Sequence, residues 1–341
     1  MDGILVVDKA AGMTSHDVVA RLRRISGERS IGHLGTLDPM ATGVLPLLLG
    51  RMTRLAQFYL PSQPPPERSS PEEEQGLPES PPLAATQCFR SGARSSKAYE
   101  GEIRLGVVTD TYDADGEPIA GECRRQPVAL SLEAVRQAAA AFRGTIWQTP
   151  PPFSAKKIQG VPAYKLARKG QKVKLRPVQV EVEEFEIERL EGETARFRAV
   201  VSPGTYVRSL AHELGQALGC GAHLASLRRT RSGEFGLEKA HTLEEIEEAF
   251  KCGGPDAVSK VTIHPRRILP EMPAVTAPPE ALGRLRNGGA VNLPEMSDAP
   301  LVKVFANRDE LMAVAKRIAG TLFQPTVVLN AGTTTSRGAH T

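Results

Sequence analysis

The apolar positions of this chain fall into two kinds of run. Residues 4–7 and 44–49 are almost continuously apolar, and such short runs are typical of strands buried on both faces. Apolar and polar residues alternate instead over three longer stretches, which predicts strands with one face against a core: 98–108, 178–190 and 195–201.

Helical spacing appears in two segments between these strands. Residues 132–142 carry apolar side chains three and four apart, and Ser131 is a suitable N-cap. Residues 209–218 form a second amphipathic pattern, which Gly219 ends. Strands and helices mix without a regular βαβ repeat, so we expect an α+β fold with a mixed, largely antiparallel central sheet.

The C-terminal part of the chain differs in composition and in its pattern of apolar residues. From residue 259 onward the chain is proline-rich with short apolar runs, which predicts a small β-rich C-terminal domain over 259–341 after a larger domain over 1–258. Within the larger domain, residues 61–87 hold eight prolines, four serines and five glutamates. So little can be buried there that we expect a disordered surface insertion at about 61–96.

Charge is informative only locally. The net charge of +4 on 341 residues says little, but residues 154–176 contain eight basic residues and no acidic one. A segment of this kind attracts a phosphate backbone, although it could equally be a solvated face. Two aromatic residues in or beside it, Phe153 and Tyr164, favour RNA binding.

The sequence gives little support for a metal site, a disulfide framework or a membrane location. The four cysteines are far apart, without the spacing of a zinc site or of a disulfide framework. Asp113, Asp115, Gly116 and Glu122 have partial calcium-loop spacing, but Thr111 stands at the first position and Pro118 interrupts the loop. We therefore expect no metal. Lacking a leader sequence and any membrane-spanning stretch, the chain is expected to be cytoplasmic.

The segment 32–43, Gly-His-Leu-Gly-Thr-Leu-Asp-Pro-Met-Ala-Thr-Gly, is the best candidate for chemistry. Its three glycines and one proline predict an irregular, shaped loop, and Asp38 is the only carboxylate in it. A carboxylate on a loop between buried strands suits catalysis. Asp before Pro is also a common turn opener, so Asp38 could simply bond its own backbone.

This segment resembles the catalytic signature of the TruB family of tRNA pseudouridine synthases. Further segments resemble family motifs in the same order over about residues 3–240: 3–9, 12–15, 50–54, 97–99, 109–116, 151–157, 204–209 and 227–229. The resemblance implies a pseudouridine synthase fold, with a C-terminal domain that is often of the RNA-binding PUA type. It also implies conversion of uridine to pseudouridine at position 55 in the T-loop of tRNA, without a cofactor.

The resemblance also assigns three residues to the reaction. Asp38 matches the catalytic aspartate, which acts on C1′ of a flipped-out nucleotide or removes its 2′ proton. Arg208 matches the arginine that pairs with this aspartate, and a guanidinium keeps a buried carboxylate ionised. Tyr99 matches the tyrosine that stacks on the target base.

Five further positions match family residues that contact RNA. His33 matches a histidine that fills the space left by the flipped base, and Asp110 a polar contact near the uracil. Lys157 lies in a segment that grips RNA as a mobile arm. Lys9 and Arg54 align with family lysine positions, Arg54 keeping the charge but not the geometry.

We therefore predict a stand-alone tRNA-modifying enzyme that acts on the T-arm, as a monomer that needs no protein partner. An H/ACA-guided synthase of the same family is one alternative, although the lysine-rich tail frequent in that branch is lacking here. A tRNA-folding chaperone is another, and an aspartyl phosphatase is the weakest.

Overall fold

The two apolar runs near the start of the chain form neighbouring strands in the computed structural model, which describes residues 2–60, 96–119, 130–154, 156–158, 161–163, 166, 175–253 and 255–329. Strands β1 (Gly3–Lys9) and β3 (Thr42–Leu49) pair antiparallel. Leu5 and Val7 face the main core, whereas Ile4 and Val6 face a second core. Burial on both faces explains why these runs are continuously apolar.

A mixed sheet of nine strands forms the centre of the molecule. Its main path runs β1-β3-β10-β4-β9-β8-β5, with β2 on β3 and β11 on β10. Among the strand pairs of this sheet that the structure describes, only β10 and β3 pair in parallel, so the expectation of a largely antiparallel central sheet is confirmed. The remaining strands of this sheet are β2 (Ile31–His33), β4 (Lys97–Leu105), β5 (Gly144–Gln148), β8 (Val178–Glu191), β9 (Thr194–Val201), β10 (Ala222–Ser232) and β11 (Phe235–Gly236).

Helices cover the main core. Helix α1 begins after a capping box between Thr14 and Asp17, and ends at Gly27 in the left-handed conformation. Ser131 caps α2, as the sequence predicts, and α3 begins two residues before the predicted Ser209. The helices of this part are α1 (Ser15–Ser26), α2 (Leu132–Ala140), α3 (Val207–Ala217), α4 (Leu243–Lys251) and α5 (Pro255–Val261).

A second, five-stranded sheet follows in the C-terminal part, in the order β12-β14-β15-β16-β13. Its apolar side chains, among them Phe305 and Val314, join Ile4 and Val6 of β1 in the second core. The predicted β-rich character of this region is therefore confirmed. Its elements are β12 (Ala274–Thr276), α6 (Leu282–Arg286), β13 (Val291–Asn292), β14 (Leu301–Phe305), β15 (Leu311–Ala319) and β16 (Leu322–Val328).

Three sequence expectations need comment. The segment 32–43 is irregular only over 34–41, because its ends belong to β2 and β3. The first alternating strand stops at Leu105, before Gly106 with its φ of 86°. Of the insertion expected at 61–96, residues 61–95 lie outside the described residues, and Ser96 is buried.

Candidate active site

The irregular loop 34–41 is held from the α1 side by two buried residues. Ser15 accepts from the Leu37 amide at 2.9 Å and donates to the Leu37 carbonyl at 3.2 Å. Lys9 is fully buried, and its Nζ donates to the Pro39 carbonyl at 3.2 Å and to the Met13 carbonyl at 2.7 Å. These bonds fix the backbone immediately before and after Asp38.

Arg229 of β10 fixes the other side of the loop. Its side chain is fully buried and donates to three carbonyls, those of Gly35 at 3.1 Å, Thr36 at 3.3 Å and Val44 at 2.7 Å. The β10 backbone also leaves no room at Gly43, where an added Cβ would lie 2.2 Å from the Arg229 carbonyl. The glycine therefore allows the close parallel approach of β3 and β10.

Asp38 forms an ion pair with Arg208, the second residue of α3. The Nη2 atom of Arg208 donates to Asp38 Oδ1 at 3.0 Å, and its Nε lies 3.0 Å from Oδ2. On its far side Arg208 Nη1 is 3.2 Å from Oδ2 of Asp113 and 3.1 Å from the Thr111 carbonyl. One guanidinium thus binds two carboxylates, and only that of Asp38 opens to the solvent: its side chain is 33% exposed, against 5% for Asp113.

The electrostatics of Asp38 reflect a balance of opposing effects. Removal from water raises the pKa of this carboxyl, the charge of Arg208 opposes the rise, and the charge of Asp113 adds to it. The net direction is upward. Asp38 therefore holds a proton more tightly than a solvated aspartate does, while its ion pair with Arg208 keeps a charged form accessible.

The exposed edge of Asp38 lies in a cavity of about 670 Å³. Tyr99 of β4, mostly buried at 6% exposure, forms part of its wall, and Phe153 lies on the same cavity. The N-terminal residues of α1 and α3 complete the lining, which includes Thr14, Ser15, His16, Gly204, Thr205 and Tyr206. Lys97 and the N-terminus of α3 favour a negatively charged ligand here.

Comparison with known proteins identifies the family. The model of the TruB family pseudouridylate synthase N-terminal domain matches residues 23–64 and 84–207, and that of the tRNA pseudouridylate synthase B C-terminal domain matches residues 208–265. The tRNA pseudouridine synthase B of Solibacter usitatus is 42% identical over 96% of this chain and the whole of its own length. This chain belongs to the TruB family of pseudouridylate synthases.

Other relatives agree with this assignment. The tRNA pseudouridine synthase B proteins of Opitutus terrae and Stutzerimonas stutzeri are 46% and 34% identical over 72% and 93% of this chain, covering 88% and 92% of their own lengths. Among solved structures, a chain of a Cbf5-Nop10-Gar1 complex aligns with a TM-score of 0.62 and 27% identity, over 94% of this chain and 79% of its own. A chain of an H/ACA RNP bound to a substrate RNA containing 2′-deoxyuridine aligns with a TM-score of 0.61 and 25% identity, over 96% and 84%. The fold expected from the TruB resemblance is confirmed.

The structure brings four of the residues singled out from the TruB signature to one place: Asp38, Arg208, Tyr99 and His33 all line the cavity. Lys9 lies directly behind it and is fully buried, which leaves no surface on it for an RNA phosphate. Lys9 aligns with a family position that contacts RNA, but here its ammonium group donates to the Pro39 carbonyl and so fixes the loop.

Of the other four predicted RNA residues, Arg54 and Asp110 are not among the residues that line the cavity. Arg54 is exposed and donates to the carbonyl of Val328 in the C-terminal sheet. Asp110 is exposed and accepts from the amide of Glu117 at 2.9 Å. Lys157 belongs to the short strand β6 (Lys157–Ile158), which pairs with β7 (Val161–Pro162), and Tyr164 lies outside the described residues.

Sequence reasoning missed three charged residues of this site. Asp113 reads as part of a turn or of a poor calcium loop, yet it is the buried second partner of Arg208. Arg229 and Lys97 lie in segments that match TruB motifs, but neither carries a local signal of its role. Asp113 and Arg229 are buried, and Lys97 and Arg229 reach the loop from neighbouring strands of the central sheet; both facts are visible only in the fold.

Within the part of the chain that the structure describes, no group of histidine, cysteine or acidic residues has an arrangement that could hold a metal ion. Among the same residues, none of the helices has the length and apolarity needed to cross a membrane.

Proposed function

We propose that this protein converts uridine to pseudouridine at position 55 in the T-loop of tRNA, with Asp38 as the catalytic residue and without a cofactor. The observation that carries the proposal is the Asp38–Arg208 ion pair at the opening of a cavity that Tyr99 also lines. The names of the bacterial relatives, tRNA pseudouridine synthase B, support the choice of RNA.

The reaction is an isomerisation, so its atoms balance without any co-reactant. The N1–C1′ bond of the nucleotide breaks, the uracil turns, a C5–C1′ bond forms, and the proton leaves C5 while N1 gains one. A single carboxylate beside the ribose serves this purpose, either by attack on C1′ or by removal of the 2′ proton. Arg208 contacts both oxygens of Asp38, through Nη2 and Nε, and so fixes this carboxylate in one orientation.

The nucleotide must leave its stack to reach Asp38. Tyr99 offers an aromatic face for the extruded uracil, which offsets part of the few kcal/mol lost on unstacking. His33 lies at the same cavity and is proposed to fill the space that the base leaves in the RNA. Its pKa is lowered, mainly by burial, so a neutral, space-filling imidazole is favoured.

The wider RNA contacts are proposed from the sequence and its resemblance to the TruB family. We propose that Arg54, Asp110, Lys157 and Tyr164 contact the T-arm, whereas Lys9 acts by fixing the loop. The part from residue 259 onward is proposed as a separate, PUA-like RNA-binding domain, beside a catalytic domain over residues 1–258. We further propose a cytoplasmic monomer that needs no protein partner.

The Asp38→Asn variant tests this function. With the purified chain alone and unmodified tRNA labelled with tritium at C5, we expect release from the wild type and none from the variant, at nearly equal tRNA affinity. The exposed Asp298 supplies a matched control, since Asp298→Asn should release tritium normally. Substantial release by Asp38→Asn would remove Asp38 from its role.

The same assay separates the rival functions. The two solved structures reported above come from a Cbf5-Nop10-Gar1 complex and an H/ACA RNP, so a guided synthase is the rival with structural support. Modification that appears only when a guide RNA or partner proteins are added would favour it. Replacing uridine 55 by cytidine should abolish release, and persistent release would contradict the choice of position. An Asp38→Asn protein that still rescues tRNA folding would reveal a chaperone function.

A further inference from the structure

Lys97 shares the catalytic cavity with Asp38, although nothing in the proposed mechanism uses it. It begins β4, two residues before Tyr99, so both side chains project from the same face of the strand. Its Nζ rests against the loop, since a Cβ added to Gly35 would lie 2.7 Å from it. The ammonium is therefore placed beside the loop that carries Asp38.

This ammonium lacks the partner that a half-buried lysine normally has. Among the residues that the structure describes, Lys97 Nζ has neither a hydrogen bond nor an ion pair. A cationic group withdrawn from water without a counter-charge is costly, which is why such groups are rare outside functional sites.

The charged groups around Lys97 are mainly positive. Arg229 lies behind it on β10, and its guanidinium is occupied by three loop carbonyls. His33 of β2 and His16 of α1 are the other basic groups at this wall, and both Arg229 and Lys97 lower the pKa of His33. Across the cavity the charge of Asp38 is already paired with Arg208.

The protonation of Lys97 reflects these surroundings. Burial lowers its pKa to about 8, and the positive charge of Arg229 acts in the same direction. The negative charge of an anion placed at Nζ would oppose both effects and raise the pKa again.

We propose that Lys97 binds a backbone phosphate of the substrate RNA, so that the phosphate supplies the counter-charge that this ammonium lacks among the described residues. This inference rests on the proposed function, because it takes the RNA strand as the source of the phosphate. A phosphate suits the wall better than a neutral uracil edge does, since it supplies the negative charge that Lys97 and Arg229 leave unbalanced.

The test measures binding of an unmodified T-arm stem–loop RNA in the Asp38→Asn background, where no turnover occurs. We expect Lys97→Met to weaken the affinity about 10-fold to 100-fold at moderate salt, in line with loss of a charge-assisted contact. The slope of log K against log salt should fall by about 0.7 to 0.9, the share of one phosphate. Lys97→Arg should retain most of the affinity.

The pH dependence gives a second readout. Between pH 7 and 9.5 the affinity of the Lys97 protein should decline, since the free lysine loses its proton near pH 8. The Lys97→Arg protein should keep its affinity over this range, because arginine stays charged. A catalytic base would behave differently, with turnover rising through pH 8 and binding unchanged.

Two controls make the result unambiguous. Lys260→Met removes an exposed lysine on α5 and should leave the affinity unchanged. Thermal unfolding should show that Lys97→Met folds at least as stably as its parent, because it removes an unpaired, desolvated charge. Unchanged affinity and salt slope in Lys97→Met, with tritium release by the wild type intact, would overturn this proposal alone. Absence of tritium release by the wild type would instead overturn the proposed function, and this site with it.

Discussion

Arg208 binds Asp113 almost as closely as it binds Asp38, with Nη1 3.2 Å from Asp113 Oδ2. The three residues come from the loop before β3, the turn after β4 and the start of α3. A single cation therefore fixes the position of the exposed carboxylate and offsets the charge of the buried one. The coupling between the two carboxylates is open to experiment.

Asp113→Asn should move the acidic limb of the kcat/KM profile to lower pH. The Asp113 charge raises the pKa of Asp38, so its removal lets Asp38 ionise more easily. Tritium release measured from pH 4.5 to 8 checks this, and a shift to higher pH would contradict the arrangement.

Arg208→Met should destabilise the fold by about 3–5 kcal/mol, because it leaves two carboxylates in the site without their cation. Adding Asp113→Asn should recover part of this loss, which denaturant unfolding of the single and double variants would measure. Arg198→Met offers a control, since Arg198 is half exposed and pairs with Glu184 and Glu186 on the outer face of the sheet. It should unfold much like the wild type, and an equal loss there would contradict a special role for Arg208.

Lys9→Met should separate a positioning role from RNA binding. The variant leaves the carbonyls of Ala10, Met13 and Pro39 without their shared donor, which we expect to cost about 2–4 kcal/mol of stability. Turnover should fall because the loop beside Asp38 loosens, while the Kd for T-arm RNA and its salt dependence stay constant. A weaker Kd at unchanged stability would indicate a direct phosphate contact.

Asp38→Asn should not lower the melting temperature at pH 7.5. The folded protein raises the pKa of Asp38 above its usual 3.8, so the folded state holds this proton more tightly than the unfolded chain does. The free energy of unfolding therefore decreases as the pH rises through that range, and ionised Asp38 is a cost to the fold at neutral pH. The two melting temperatures should converge near pH 3, and a clearly less stable variant at pH 7.5 would show that the ion pair outweighs the burial cost.

The sequence by itself determined several of the strands and helices and located the loop that carries Asp38. Continuous apolar runs predicted β1 and β3, alternation predicted β8 and β9, and Ser131 marked the start of α2. These signals are local, since they depend on periodicity and capping within one segment. The residues around Asp38 that carry the family resemblance are also neighbours in the sequence, so the resemblance can be recognised without a structure.

Only the tertiary structure decided which charges meet. Asp38 and Arg208 are 170 positions apart in the sequence, and Arg229 and Lys97 reach the loop from strands that are neighbours only in the folded sheet. Lys9 matches a TruB family position that contacts RNA, yet its side chain is fully buried under the loop that carries Asp38. Burial and long-range pairing set the partner and the protonation of each group, and neither is encoded in the spacing of residues along a strand or helix.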